Sequence, residues 1–463
     1  MQNIHKIHSL QPEAVGAAVA GFVRAVAITL VVTVPLVVTP WGEAAYSYVK
    51  SELTIALALI GLLGWMVVFV TTRHPKWQGT LPELALWAFL LAGLLSTATS
   101  VDPSVSLFGG LGRHEGLLTI CAYAVWYFIG VHFLGSQRRY QSLAVAAGIA
   151  ATVAIGYGIL QVFAPPLFEG EAFVREWYGR LGIPRVGSTL GGPLVFGGYL
   201  AFILPMVCAV AAVTRSRVRV VWLAVAFLAV IDVALTLTRA SWLALLAGMG
   251  IFVAAATGMT SRTRRVVIGG SAVAVLAAAL ILMAVVSTPS QVRSRVTASV
   301  DTSAGSVAQH IYIWRHVAQL IRTRPLLGWG LDTLGAVFPY DRESLVRYFG
   351  LRPVTVDRAH NDVLQVAVSV GIPGAMAYVG FWVLVLMAGV RVWRRHAGPP
   401  RLFAAAWLGG LAAYLLQAQF SFSTVAITPL VWLMAGAVCA WESTPADVDH
   451  LDSHDRDDPE HHG

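Results

Sequence analysis

Uninterrupted apolar stretches of about 20 residues recur along this chain, and they constrain its fold more than any other feature. A helix of that length crosses a hydrocarbon core of roughly 30 Å. Hydrophobic residues make up 57% of the 463 residues and charged residues only 12%, whereas soluble domains carry roughly 25% charged residues. Because a soluble core of this size cannot bury such an excess, the sequence predicts an all-α integral membrane protein.

About twelve transmembrane helices are predicted, and the longest connection lies between the ninth and the tenth. The predicted spans are residues 21–39, 53–71, 83–98, 116–134, 141–162, 192–213, 220–237, 240–257, 266–286, 373–390, 402–419 and 424–441. Residues 1–286 carry the first nine, residues 287–372 form a large, partly helical loop, and residues 373–441 carry the last three. Residues 442–463 are polar and rich in Asp and His, which predicts a disordered cytoplasmic tail.

The distribution of positive charge predicts the orientation in the membrane. Fourteen Lys and Arg residues lie in the connecting segments of one side, and three lie in the short segments of the other. The positive-inside rule therefore places both termini in the cytoplasm and the long loop on the outer side of the membrane. The net charge of +8 comes from arginines dispersed between apolar runs, so it does not indicate nucleic-acid binding.

Arginine is concentrated on the predicted outer side. The outer arginines are Arg113, Arg175, Arg180, Arg185, Arg239, Arg293, Arg295, Arg315, Arg322, Arg324, Arg342, Arg347, Arg352 and Arg358. A guanidinium presents a fixed fork of donors that matches phosphate oxygens, so the cluster suggests a phosphate or pyrophosphate ligand. For any single arginine of the long loop, however, a contact with lipid headgroups or a codon preference is the favoured explanation.

Two of these arginines lie in positions that favour a function. Arg239 is held between two apolar helices on the side where positive charge is disfavoured. Arg185 precedes a glycine-rich stretch that opens the sixth span, where a close backbone approach and free N–H groups could bind an anion. Glycine-rich turns before helices are common, so the second pattern alone indicates little.

The long loop contains two predicted helices. Residues 306–323 are amphipathic, with Ile313 and Val317 on one face. A second helix is predicted to begin near Arg358, with Asp357 as its N-cap. The loop is therefore expected to fold against the membrane surface.

His360 would lie in the first turn of that second helix, close to the membrane. Imidazole is the side chain best suited to proton transfer at neutral pH. A surface or packing histidine is the competing interpretation, and His114, His310 and His316 are further histidines on the same side. None of these histidines has the spacing of metal ligands, so neither a metal nor another cofactor is predicted.

Three local patterns resemble the O-antigen ligase and O-antigen polymerase superfamily of bacterial polysaccharide assembly. The first is RVGSTLGGP beginning at Arg185, and the second is TRASWL around Arg239. The third is PLLGWG at 325–330, followed by AHND around His360 and VGIPG at 370–374. Twelve spans with the large loop after the ninth are similar to this family too.

The resemblance implies a fold of the lipid-phosphosugar glycosyltransferase type. It also implies transfer of a glycan en bloc from a polyprenyl-pyrophosphate carrier to an acceptor hydroxyl at the periplasmic face, without a metal. His360 matches the family's catalytic histidine, and Arg185 and Arg239 match arginines that hold the donor's diphosphate. Family members often carry an arginine one turn before the loop tryptophan; here His310 precedes Trp314.

The hypothesis assigns a role to each candidate residue. The candidates are His360 and Arg239 as catalytic residues; Arg185, Arg239, Arg113 and Arg315 as diphosphate ligands; and Asn361 and Asp362 as supporting residues. Preorganised arginines can stabilise a leaving diphosphate in place of a metal, and a single displacement predicts inversion at the anomeric carbon.

The acceptor is left open by the sequence. A ligase would use lipid A–core, a polymerase would use a growing glycan on its lipid carrier, and a protein O-oligosaccharyltransferase would use Ser or Thr. A transporter for the lipid-linked glycan would place charges in the middle of its spans, and the near absence of acids there argues against it.

Overall fold

The computed structural model describes residues 12–39, 46–72, 80–110, 112–168, 185–215, 217–256, 269, 305–340, 342–349 and 355–443. Within these ranges the chain is helical and contains no β-strand. The α-helices, numbered over the described residues, are α1 Pro12–Leu36, α2 Ser47–Thr72, α3 Leu81–Ala98, α4 Pro103–Phe108, α5 Leu117–Phe133, α6 Gln137–Phe163, α7 Pro193–Val213, α8 Arg217–Leu235, α9 Arg239–Ala256, α10 Gly305–Thr323, α11 Leu334–Val337, α12 Arg342–Phe349, α13 Asp362–Arg395, α14 Gly398–Ala418 and α15 Thr428–Ser443.

The described helices confirm a multi-pass membrane protein. Nine of them are long and apolar enough to cross a bilayer, and α5 is a shorter apolar helix. Each predicted span except the ninth overlaps one of these helices or α15. The ninth, 266–286, lies outside the described residues apart from residue 269, as do residues 287–304 and most of the tail. The count of twelve and the sidedness of the loops stay predictions.

Close helix pairs build the bundle, with α5 against α15, α9 against α14, α1 against α2 and α3 against α13. The α5–α15 pair shows what allows the helices to approach so closely. A Cβ on Gly130 would lie 2.1 Å from the carbonyl oxygen of Leu433, and one on Gly436 would lie 1.9 Å from that of Tyr127. Small residues let the two backbones meet, which is how helices associate when lipid removes the hydrophobic drive between them.

The helix α13 begins in the loop and continues into the bundle, so it crosses the predicted boundary at 372/373. It is interrupted at Gly371, whose φ of 80° and ψ of 174° are not helical. The freed carbonyls of Val368 and Ser369 accept hydrogen bonds from the N–H groups of Trp329 (2.9 Å) and Gly330 (3.0 Å). The interruption therefore ties the PLLGWG segment to α13.

A second, smaller core holds the loop helices together. Ile313 and Val317 of α10 are buried with Leu334, Phe338 and Val356. The amphipathic face predicted for 306–323 is thus the buried face of α10. This core positions α10 beside the start of α13.

Candidate functional site

His360 lies immediately before α13, in a left-handed backbone conformation with φ of 49°. The helix begins at Asp362 and Asn361 is its N-cap, because the Asn361 Oδ1 accepts a hydrogen bond from the N–H of Leu364 at 3.0 Å. The expectation of a helix starting near Arg358 with Asp357 as its cap was therefore wrong. His360 is held at a turn and not in a helical turn.

Asn361 and Asp362 bind the segment between α14 and α15. The Asn361 Nδ2 donates to the carbonyl of Gln419 at 3.2 Å. The Asp362 carboxylate accepts from the Tyr378 hydroxyl at 2.5 Å and from the N–H of Ser423 at 2.9 Å. The two residues therefore fix the 419–423 segment against the start of α13.

Phe422 of that segment lies between His360 and two arginines. Its ring centroid is 5.5 Å from that of His360. The guanidinium carbon of Arg113 lies 4.5 Å from the centroid, and that of Arg358 lies 5.9 Å from it. Phe422 thus contacts the predicted base and two guanidinium groups, of which Arg113 is far from His360 in the sequence.

Arg113 forms an ion pair with Asp357, with 2.6 Å between Nε and Oδ2. Burial would raise the pKa of Asp357, but the charge and hydrogen bond of Arg113 outweigh it and hold that pKa below its usual value. About a third of the Arg113 side chain, 34%, stays exposed. Arg113 can therefore meet a ligand on its open side.

Arg358 is buried between two carboxylates, at 3.0 Å from Glu115 and 2.9 Å from Asp332. Asp332 also accepts from the N–H of Gly110 at 2.6 Å. Burial raises the pKa of Glu115 to about 7 against the opposing charge of Arg358. This network anchors the backbone two residues before His360.

A cavity of about 80 Å³ adjoins the same network, and Glu115, Asp332, Arg358 and Phe422 are among its lining residues. Sequence reasoning missed Glu115, Asp332 and Phe422 as parts of the site. The position of Glu115, two residues after Arg113, could have indicated that it belongs to the site. No sequence feature indicated this for Asp332 or Phe422.

His310 and Trp314 of α10 pack on the other side of His360. The His310 and Trp314 rings are stacked with 5.9 Å between centroids and 12° between planes. The His310 and His360 centroids are 5.2 Å apart. The Trp314 Nε1 donates to the carbonyl of Ala359 at 2.9 Å, so α10 holds the residue next to His360.

The surroundings of the two imidazoles favour their neutral forms. Burial, followed by the charge of His310, lowers the pKa of His360 to about 4; Arg113 and Arg358 lower it further and Asp357 opposes them. Burial, followed by the charge of Arg239, lowers the pKa of His310. The positive charge of Arg239 therefore disfavours protonation of His310.

Arg185 shapes the turn that leads to Arg239. Its Nε donates to the carbonyl of Thr236 at 2.8 Å, and its Nη2 donates to the Thr238 Oγ1 at 2.9 Å. Leu237 in this turn has φ of 51°. Arg239 then begins α9 with an exposed side chain. The structure thus brings Arg185 and the segment before Arg239 together.

The glycine-rich stretch after Arg185 is partly occupied by the protein itself. The Gln161 Oε1 accepts from the N–H of Gly187 at 3.1 Å and from that of Ser188 at 2.9 Å. These two N–H groups therefore already have a partner within the protein and are not open to an anion.

Arg315 is exposed on α10. Among the described residues, no hydrogen bond or ion pair joins it to the other candidates. Over the same ranges no set of three or more His, Cys, Asp or Glu side chains is arranged to hold a metal ion.

Residues 224–379 match the family model described as O-antigen ligase. Through this region the chain is similar to the O-antigen ligase and polymerase superfamily. The matched region includes Arg239, His310, Arg315 and His360. The resemblance inferred from the sequence motifs is thereby confirmed. A search of curated proteins found no match.

Proposed function

We propose that this superfamily member is a membrane glycosyltransferase of the O-antigen ligase type. It moves a glycan en bloc from a polyprenyl-pyrophosphate carrier to an acceptor hydroxyl, with lipid A–core as the acceptor, at the periplasmic face of the inner membrane. The observation that carries the proposal is one cluster of side chains around His360. His360 and Arg113 both contact the ring of Phe422. His360 also lies beside His310, whose pKa is lowered by the charge of Arg239.

His360 is the proposed general base. Its lowered pKa keeps the imidazole neutral at pH 7, which leaves a ring nitrogen able to accept a proton. An acceptor hydroxyl is a poor nucleophile until a base takes its proton as attack develops. The partly buried turn that holds His360, between Asn361 and the Arg358 network, gives the imidazole a fixed position for that step.

Arg239, Arg185 and Arg113 are the proposed ligands of the donor's diphosphate. Arg239 is exposed where α9 begins, Arg185 fixes the preceding turn, and Arg113 keeps an exposed side. Fixed guanidinium groups stabilise the charge that develops on the leaving diphosphate. Arg315 would join them only for a ligand that reaches the exposed side of α10.

The reaction is a single displacement. The acceptor oxygen forms a bond to the anomeric carbon while the bond from that carbon to the phosphate oxygen breaks. The electron pair leaves on the diphosphate, and His360 takes the proton of the hydroxyl. Attack from the face opposite the leaving group inverts the anomeric carbon.

The test is transfer by the purified protein in nanodiscs. It is incubated with a polyprenyl-pyrophosphate glycan and three acceptors: lipid A–core, a second glycan on its carrier, and a Ser/Thr peptide. Mass analysis of each product names the acceptor. Glycosylated lipid A–core supports the ligase, and extension of the carrier-bound glycan or modification of the peptide would move the assignment to a polymerase or a protein oligosaccharyltransferase. Absence of product with all three contradicts the proposal.

A further inference from the structure

A second imidazole lies next to the proposed base. The centroids of His310 and His360 are 5.2 Å apart and their planes are tilted by 31°. A direct hydrogen bond or one bridging water can connect nitrogens of rings at such a separation. Stacking on Trp314 holds the His310 ring in place. The two imidazoles are therefore positioned to exchange a proton.

The two imidazoles differ in the arginine charges that act on them. The charge of Arg239 is felt at His310, whereas the arginine charges felt at His360 are those of Arg113 and Arg358. If Arg239 holds the donor's diphosphate, His310 is the imidazole closer to the leaving group. His360 would then face the acceptor.

Among the residues that the structure describes, few other charged groups act on the pair. Asp357 is the acid that acts on His360. The helix α12 packs against α10 through Tyr348, which contacts Tyr312 and accepts from the Gln309 side chain through its carbonyl. Its Glu343 and Arg347 are both exposed. Besides burial and the two imidazoles themselves, the charges that act on the pair are those of Asp357, Arg113, Arg358 and Arg239.

A bound diphosphate would change the charges that act on His310. In the empty site, the charge of Arg239 disfavours a second positive charge on His310. The negative charges of a diphosphate beside Arg239 would offset it and favour the imidazolium form of His310. Binding of the donor would then be accompanied by uptake of a proton.

We propose that His310 is a second catalytic residue, which is protonated when the donor binds and which gives that proton to the diphosphate oxygen that leaves the anomeric carbon. This inference rests on the proposed function. As that carbon–oxygen bond breaks, its electron pair takes the proton from the His310 imidazolium. The acceptor's proton passes to His360 and then to His310, which restores both rings.

Binding without an acceptor isolates the protonation step. The probe is a short-chain glucosyl polyprenyl diphosphate, whose phosphates are both esterified and do not titrate near neutral pH. One linked proton makes the Kd fall by up to about tenfold per unit of decreasing pH, over the range in which donor binding makes His310 take up that proton. This dependence is expected for the wild type and for His360→Gln. It is expected to be lost in His310→Gln.

The matched control is His316, six positions further along α10. Its Nδ1 is 2.9 Å from the carbonyl of Tyr312 and its ring packs on Tyr312 and Phe338, away from His360. His316→Gln is expected to keep the pH dependence and the turnover. A variant of His310 that fails to fold is replaced by His310→Asn, with folding checked by size exclusion.

Turnover separates proton donation from a simple positive charge. His310→Gln is expected to lower kcat by about 10²-fold or more. His310→Arg supplies a cation that cannot give up its proton, so it should restore donor affinity but not kcat. Recovery of kcat in His310→Arg, or an unchanged pH dependence in His310→Gln, overturns the inference. If the wild type transfers no glycan, the proposed function fails instead, and the binding result still decides the protonation.

Discussion

Arg358 and Glu115 form a buried ion pair of 3.0 Å although 243 positions separate them in the sequence. Asp332 holds the same guanidinium at 2.9 Å. Since Arg358 is two residues before His360, the pair joins the α5 end of the bundle to the turn that carries the proposed base.

The first prediction concerns the stability of this network. Arg358→Gln leaves two carboxylates without their cation and should lower the free energy of unfolding by about 3–5 kcal/mol. Glu115→Gln should cost less, because a Gln oxygen can still accept from Arg358 and Asp332 keeps its charge. Thermal unfolding in detergent measures both, with the exposed Arg322→Gln as the control. Equal loss in the two buried variants would contradict this account.

The second prediction concerns the proposed base. His360→Ala should reduce glycan transfer by about 10²–10⁴-fold, the range expected for losing general base catalysis. Folding and affinity for the donor should be retained, because the imidazole acts on the acceptor. Transfer is measured by mass analysis and binding by calorimetry. His316→Ala serves as the control, and wild-type transfer by His360→Ala would remove the assigned role.

The third prediction concerns the diphosphate arginines. Arg239→Lys keeps the charge but loses the fork of donors, so it should weaken donor binding and slow transfer by about tenfold or more. Arg185→Lys should act similarly, because one ammonium cannot reproduce the bonds to both Thr236 and Thr238. Donor affinity is measured for each variant. Unchanged affinity and transfer in both would discard the arginine site.

The fourth prediction concerns pH. A base whose pKa is about 4 stays neutral until the solution is acidic, so the loss of kcat/KM caused by protonation of His360 should begin only as the pH drops towards about 4. An ordinary histidine would lose activity below about pH 6.5. Asp357→Asn removes a negative charge that raises the pKa of His360, so its acid limb should move to lower pH. The pH profiles of the two proteins provide the test.

The fifth prediction is stereochemical. A single displacement should give a product whose anomeric configuration is opposite to that of the donor. Nuclear magnetic resonance of the anomeric proton in the isolated product measures this. Retention would indicate a covalent glycosyl-enzyme intermediate and would assign a nucleophile that the present mechanism does not contain.

Much of the helical framework is predictable because span length and apolar character are local properties. The predicted span 192–213 differs by one residue from α7, Pro193–Val213. The start of α13 was placed too early because Asp357 is a good N-cap by residue type. In the folded protein Asp357 is engaged by Arg113, which leaves Asn361 to cap the helix.

The sequence by itself determined that the chain has helices able to span a membrane, and it predicted that the motifs around Arg185, Arg239 and His360 resemble one superfamily. Those features depend only on short stretches of the sequence. Tertiary structure alone decided that His310 lies beside His360, that Phe422 joins His360 to Arg113, and that Glu115 and Asp332 hold Arg358. The reason is physical: these contacts join segments far apart in the chain, and only the packing of the helices sets their distances.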